Sequence, residues 1–199
     1  MLRTISPHGK TRLASVMAVV MIAIVIGITF EVTTTSAHSH KAKDAKNDHT
    51  TGPSALDIIE ANVSKNGDTF EFDLKVAGNI PKTMVGSNQW NFIIDSNPDC
   101  QLRLWCDPDD YLIGLQVNPA TGEYIAFVLQ LTPPPPFWTI TPIPFEIIGN
   151  KVTFTVQEDL IQDPSDFLWY ANTRPGGFPA PTSDLLPDLA DNGTIEWSE

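Results

Sequence analysis

Two segments of this chain alternate strictly between apolar and polar residues. Thr69–Val76 places Phe70, Phe72, Leu74 and Val76 on one side, and Lys151–Gln157 does the same with Val152, Phe154 and Val156. Charged and hydroxyl residues occupy the positions between them. Because successive side chains of a β-strand point to opposite faces, this period predicts half-buried antiparallel strands. We expect the apolar side chains of both segments to face one core.

Turn residues separate these segments from their neighbours. Lys65-Asn66-Gly67-Asp68 and Gly149-Asn150 predict hairpins, and Asn118–Gly122 predicts a third turn. Further strand-like runs are Leu56–Ser64, Trp90–Asp95, Asp110–Val117, Tyr124–Leu131, Ile143–Ile148, Phe167–Thr173 and Thr194–Trp197. One helical turn is expected near Glu158–Gln162. About nine short strands predict an all-β fold, an antiparallel two-sheet β-sandwich of the jelly-roll or Ig-like type.

The N-terminus predicts export. Arg3, Lys10 and Arg12 precede an uncharged apolar run, Leu13–Phe30, and small residues follow at Thr35-Ser36-Ala37. Residues 1–37 are therefore interpreted as a signal peptide, with an uncleaved signal anchor as the alternative. Both interpretations place the domain in the secreted space or on the extracellular face of the cell envelope. Residues 38–54 are polar and predict a disordered linker, and residues 55–199 form the predicted β-sandwich domain.

An acidic segment, Asp95–Asp110, lies between two predicted strands and contains both cysteines of the chain. Asp95, Asn97, Asp99 and Asp110 offer the oxygen ligands that calcium prefers, and clustered carboxylates repel one another unless they are neutralised. The alternative is an exposed acidic rim that water and salt screen. In an oxidising compartment Cys100 and Cys106 are expected to form a disulfide bond.

Aromatic residues in the loops form a second candidate site. We interpret Trp105, Phe137, Trp138 and Phe178 as a platform for sugar rings, because flat aromatic faces contact the C–H groups of a pyranose. The alternative is that these rings pack beneath their own loops. Trp90 and Trp169 lie within strand patterns and are expected in the core.

Several function classes are disfavoured. The formal net charge of −12 repels nucleic acid and anionic lipid. Every histidine lies at position 49 or earlier, outside the predicted domain, so no Ser-His or Cys-His pair is expected within it. Haem ligands are lacking there too, and no nucleotide cofactor is expected. A carboxylate-based hydrolase is the remaining enzymatic alternative.

The motifs Phe92-Ile-Ile-Asp95, Asp110-Tyr-Leu-Ile113 and Asp184-Leu-Leu-Pro-Asp188 resemble those of family 9 carbohydrate-binding modules and DOMON-like domains. The resemblance covers about Ala55 to Trp197, and the cysteine loop and the proline run depart from it. It implies a binding or accessory domain with sugar as the leading ligand class. We therefore predict an exported module that binds polysaccharide or another cell-envelope component, with a structural or adhesive envelope protein that binds another protein as the alternative.

Overall fold

The computed structural model describes residues 38–83, 87–96, 111–118, 120–131, 138–176, 181–187 and 195–198. All of them belong to one compact unit, Thr35–Glu199. Within these ranges no helix is long and apolar enough to cross a membrane. The predicted signal peptide lies outside the described residues.

The described residues form twelve β-strands. In chain order they are β1 His38–Lys43, β2 Ile58–Asn66, β3 Thr69–Val76, β4 Gln89–Asp95, β5 Tyr111–Val117, β6 Tyr124–Gln130, β7 Thr139–Pro142, β8 Phe145–Ile148, β9 Lys151–Gln157, β10 Asp166–Arg174, β11 Asp184–Leu186 and β12 Ile195–Ser198. Two short 3-10 helices, Ser54–Leu56 and Glu158–Ile161, accompany them. The second coincides with the predicted helical turn.

These strands form two antiparallel sheets. The five-stranded sheet has the order β1-β2-β3-β9-β8, and the seven-stranded sheet has the order β11-β10-β4-β5-β6-β7, with β12 also paired to β10. The two inner faces enclose a single large cluster of buried apolar side chains. The fold is the predicted all-β, two-sheet β-sandwich, although the described residues contain more strands than expected.

The inner faces are rich in aromatic residues. All seven alternating side chains predicted for the core are fully buried, and so are Trp90 and Trp169. Phe92 on β4 lies between the sheets, with its ring centroid 5.3 Å from that of Phe72 and 6.2 Å from that of Phe154 on the opposite sheet. Such ring pairs add to the stabilisation that apolar burial provides.

Both predicted two-residue hairpins are present. Gly67 adopts a φ of +58° between β2 and β3, and Gly149 adopts a φ of +63° between β8 and β9. Since positive φ is costly for residues with a Cβ, glycine suits these turns and fixes the register of the paired strands.

The structure contradicts the prediction of a disordered linker over residues 38–54. His38–Lys43 is an edge strand that pairs with β2 from His38↔Lys65 to Lys43↔Glu60. Its two half-buried inward residues contact the core: Ala42 packs against it, and the His40 ring lies 4.9 Å from that of Trp197. An edge strand needs only one apolar face and one hydrogen-bonded neighbour, so it can be mostly polar. For this reason the polar composition of residues 38–43 did not indicate a strand.

Candidate functional site: a groove on the outer face of the seven-stranded sheet

The outer face of the seven-stranded sheet carries a second apolar cluster. Phe127, Leu129 and Leu131 point away from the inter-sheet core, yet each is at most 9% exposed. Leu112 and Trp138 pack against them. This arrangement is unusual for the outer face of a sandwich, which is generally polar. Apolar side chains in this position can form the floor of a ligand-binding groove.

Strand register arranges the outward side chains in rows across the sheet. The first row runs Arg174, Gln89, Gln116 and Ile125; the second runs Asn172, Asn91, Gly114, Phe127 and Pro142; the third runs Tyr170, Ile93, Leu112, Leu129 and Ile140. Adjacent rows are about 7 Å apart, because each is two residues further along the strands. The face is therefore polar in its first row and becomes apolar towards the third.

Most residues that line a groove of about 640 Å³ lie on β4, β5, β6 and β7, and Arg174 of β10 and Phe145 of β8 in the other sheet also contribute to the lining. Its lining residues are Gln89, Ile93, Leu112, Gln116, Tyr124, Ile125, Ala126, Phe127, Leu129, Leu131, Trp138, Ile140, Pro142, Ile143, Phe145 and Arg174. Its volume falls within the range of small-molecule binding sites, which are mostly apolar with a few placed polar groups.

Side-chain amides supply the polar end of the groove. Gln89 Nε2 donates to Gln116 Oε1 at 3.0 Å. This bond leaves the Gln89 carbonyl oxygen and further amide hydrogens of Gln116 for other partners. Tyr124 also lines the groove, and burial raises its pKa to about 12, so its hydroxyl stays protonated and donates to the Pro81 carbonyl oxygen. The amides and this phenol are uncharged at neutral pH.

A buried amide pair lies in the second row. Asn91 Nδ2 donates to Asn172 Oδ1 at 3.0 Å, and both residues are 1% exposed. Asn91 Oδ1 has no hydrogen-bond partner and lies over Gly114, where an added Cβ would come within 2.7 Å of it. A buried acceptor without a donor costs free energy, and a donor that reached it would relieve that cost.

Among the aromatic residues predicted to bind ligand, Trp138 lines the groove, and its Nε1 donates to the Leu131 carbonyl oxygen at 3.1 Å. Trp105, Phe137 and Phe178 lie outside the described residues. So do Asn97, Asp99, Asp110 and the predicted disulfide partners Cys100 and Cys106. Asp95 ends β4 and is 1% exposed, and it already interacts with a partner. The calcium and disulfide hypotheses stay predictions.

A different set of carboxylates converges at the opposite side of the sandwich. One oxygen each of Asp44, Asp48 and Asp184 lies within 4.8 Å of the others, an arrangement that could hold a metal ion. Asp184 is 6% exposed, and its carboxylate accepts hydrogen bonds from the backbone N–H groups of Ile58 and Leu185. Sequence reasoning missed this group, because Asp44 and Asp48 were assigned to the linker and Asp184 follows much later in the chain.

Burial raises the pKa of the Asp184 carboxyl from its ordinary value of 3.8 to about 6. Within this net shift, burial is the largest cause, the two backbone hydrogen bonds lower the pKa, and the negative charges of Asp48 and Asp57 contribute to its rise. Asp57 is fully buried and accepts hydrogen bonds from the Asn47 backbone N–H on both oxygens. Asp57 thus holds the segment between β1 and β2 together, and Asp184 ties β11 to the start of β2.

The expectation that every histidine lies outside the domain is wrong. His38 and His40 are in β1, and His49 Nδ1 lies 3.5 Å from Asp57 Oδ1. An Asp–His pair can activate a nucleophile when the second ring nitrogen accepts its proton. Here that nitrogen, Nε2, lies 3.3 Å from the Gly52 carbonyl oxygen, which cannot donate. The pair is suited to holding the loop rather than to general base catalysis.

Comparisons of this chain with protein-family models, with curated proteins and with solved structures gave no match. The resemblance to family 9 carbohydrate-binding modules and DOMON-like domains therefore rests on the sequence motifs alone and stays a prediction.

Proposed function

We propose that this protein is an exported, non-catalytic binding module that holds a carbohydrate-containing ligand in the groove on the outer face of its seven-stranded sheet. The observation that carries this proposal is the combination of aromatic rings and amides in one groove. Phe127 lines it in the row next to that of Gln89 and Gln116, and Trp138 lines its far end. Rings contact the C–H faces of a sugar, and amides exchange hydrogen bonds with its hydroxyl groups.

We expect Gln116→Ala to weaken oligosaccharide binding about tenfold, because it removes a hydrogen-bonding amide from the polar end, a loss of about 1.4 kcal/mol. Isothermal titration calorimetry with soluble hexasaccharides of glucose, mannose, xylose and N-acetylglucosamine would measure this effect.

Gln157→Ala is the matched control. Gln157 is an exposed glutamine at the end of β9 in the other sheet, where its amide donates to Thr69 Oγ1 at 3.2 Å. Its loss should leave affinity unchanged. If no oligosaccharide binds, or if both variants weaken binding equally, the groove is not a sugar site. Capture of a protein partner or self-association would instead support the adhesive alternative.

Calcium at the acidic segment is the proposed cofactor interaction, and it rests on the buried Asp95 at the end of β4 together with the neighbouring acidic sequence. At a calcium concentration one hundred times its dissociation constant, binding would stabilise the fold by about 2.7 kcal/mol. Thermal denaturation with calcium and with chelator measures this, and Asp95→Ala should remove the difference. Asp68→Asn, at an exposed turn residue, should retain it. Identical melting curves for the unmodified protein would favour the screened acidic rim.

A further inference from the structure

The geometry of the groove points to a more specific occupant: we propose that it binds a single-chain amphiphile, with an uncharged hydroxylated head group at the amide row and an alkyl or acyl chain along the third row. This inference rests on the proposed function, because it assigns the ligand of the same groove. It goes beyond that function by assigning a hydrocarbon subsite, whose aliphatic lining does not match a free sugar.

The far end of the groove is lined by aliphatic side chains. Ile93, Leu112, Leu129 and Ile140 stand side by side in the third row on β4, β5, β6 and β7, and Leu131 and Trp138 extend the surface beyond them. A free sugar would place hydroxyl groups against these side chains, where they find no hydrogen-bond partner. A hydrocarbon chain has no such groups and gains from the burial.

The end of the groove at the first row carries hydrogen-bonding side chains, most of which are uncharged. Gln89 and Gln116 are neutral amides, and Arg174, the charged member of the described lining, already has a partner in the protein. The chain as a whole has a formal charge of −12. An anionic head group would be repelled by that charge, whereas hydroxyl groups can both accept from and donate to amides.

The length of the groove fits a ligand with a polar head group at one end and an alkyl chain at the other. The polar first row and the apolar third row are four residues apart along each strand, or roughly 13 Å. A head group over Gln89 and Gln116 therefore leaves an extended stretch of groove for a chain. The volume of about 640 Å³ accommodates both parts of such a ligand.

The test uses octyl, decyl and dodecyl maltoside below their micelle-forming concentrations, with maltose and sodium dodecanoate as partial ligands. We expect affinity to rise with chain length, about fourfold for each further methylene that is fully buried. Maltose should bind far more weakly than dodecyl maltoside, because it lacks the chain. Dodecanoate should also bind more weakly, since its charged head group has no hydroxyls.

Two isoleucines provide a matched pair of variants. Ile140 lines the groove and is 63% exposed, whereas Ile148 lies on β8 of the other sheet, outside the groove lining, and is 66% exposed. Ile140→Glu should weaken dodecyl maltoside binding at least tenfold, because it places a charge along the chain. Ile148→Glu should change it less than twofold. Both residues are on the surface, so both variants are expected to fold.

The inference would be overturned if affinity did not depend on the length of the alkyl chain. It would also be overturned if Ile140→Glu and Ile148→Glu lost the same affinity, because the groove would then not be the place that holds the chain. Equal affinities for dodecanoate and dodecyl maltoside would overturn the assignment of the head group. If Gln116→Ala weakens oligosaccharide binding while maltoside affinity shows no dependence on chain length, that result would support the proposed function and refute only the hydrocarbon subsite. Chain-dependent binding with no affinity for any sugar would instead refute the proposed carbohydrate ligand.

Discussion

Phe92→Ala should destabilise the protein by about 3–5 kcal/mol, because it leaves a cavity where the two sheets meet. Phe92 is fully buried on β4. Its ring is 5.7 Å from that of Trp169 on the same sheet and contacts Phe72 and Phe154 on the other. Trp169, Phe72 and Phe154 are themselves fully buried. Chemical denaturation monitored by tryptophan fluorescence measures the effect, and we expect the melting temperature to fall by roughly 10 °C.

Phe145→Ala is the control for this change. Phe145 begins the edge strand β8 and is 37% exposed, so truncation there removes less buried surface and should cost about 1 kcal/mol or less. Equal losses in the two variants would contradict the picture of a core centred on Phe92. They would indicate that the edge near β8 contributes as much as the interior.

The core could be predicted from the sequence because its strands are polar on one side. In β3 and β9 every second residue is polar, so the alternation is visible along the chain. Phe72 and Phe154 pair directly across the two strands, as the shared period requires. The glycines at positions 67 and 149 then indicate where the chain reverses.

The composition of β1 did not predict a strand, because an edge strand shows a weaker apolar pattern than a strand inside a sheet. Within His38–Lys43 only Ala42 is aliphatic, and four of the other five positions carry a charge or an imidazole. What orders this strand is the ladder to β2 and an ion pair of 2.8 Å between Lys41 and Glu60. Those partners lie far along the chain and leave no local pattern.

The groove could not be predicted either, because it depends on register. Gln89 and Gln116 belong to different strands, and only the β4–β5 pairing places them opposite each other. The strand β4 is buried along its whole length, and its polar–apolar alternation from Gln89 to Phe92 stops at Ile93 and Ile94, so the sequence does not distinguish inner from outer faces throughout the strand. Trp138 was identified as a candidate by its residue type, whereas its aliphatic neighbours had been interpreted only as ordinary strand residues.

Acidification from pH 7 towards pH 4 should stabilise the protein through Asp184. Its pKa of about 6 in the fold exceeds the ordinary value of 3.8, so the folded state binds a proton more tightly than the unfolded chain does. The stability contributed by this proton is complete below the unfolded pKa and is lost as pH rises through about 6. For a shift of this size the contribution is about 3 kcal/mol. Urea unfolding at a series of pH values measures it.

Asp48→Asn separates this cluster from the general effect of net charge. Asp48 is exposed, and its charge raises the pKa of Asp184, so its removal should lower that pKa, make the pH dependence shallower and stabilise the protein at pH 7. Asp68→Asn removes the same charge from the exposed turn between β2 and β3 and should leave the pH dependence as it was. If both variants flatten it equally, overall repulsion in a chain of charge −12 is responsible, and the buried carboxyl of Asp184 is not the group that titrates.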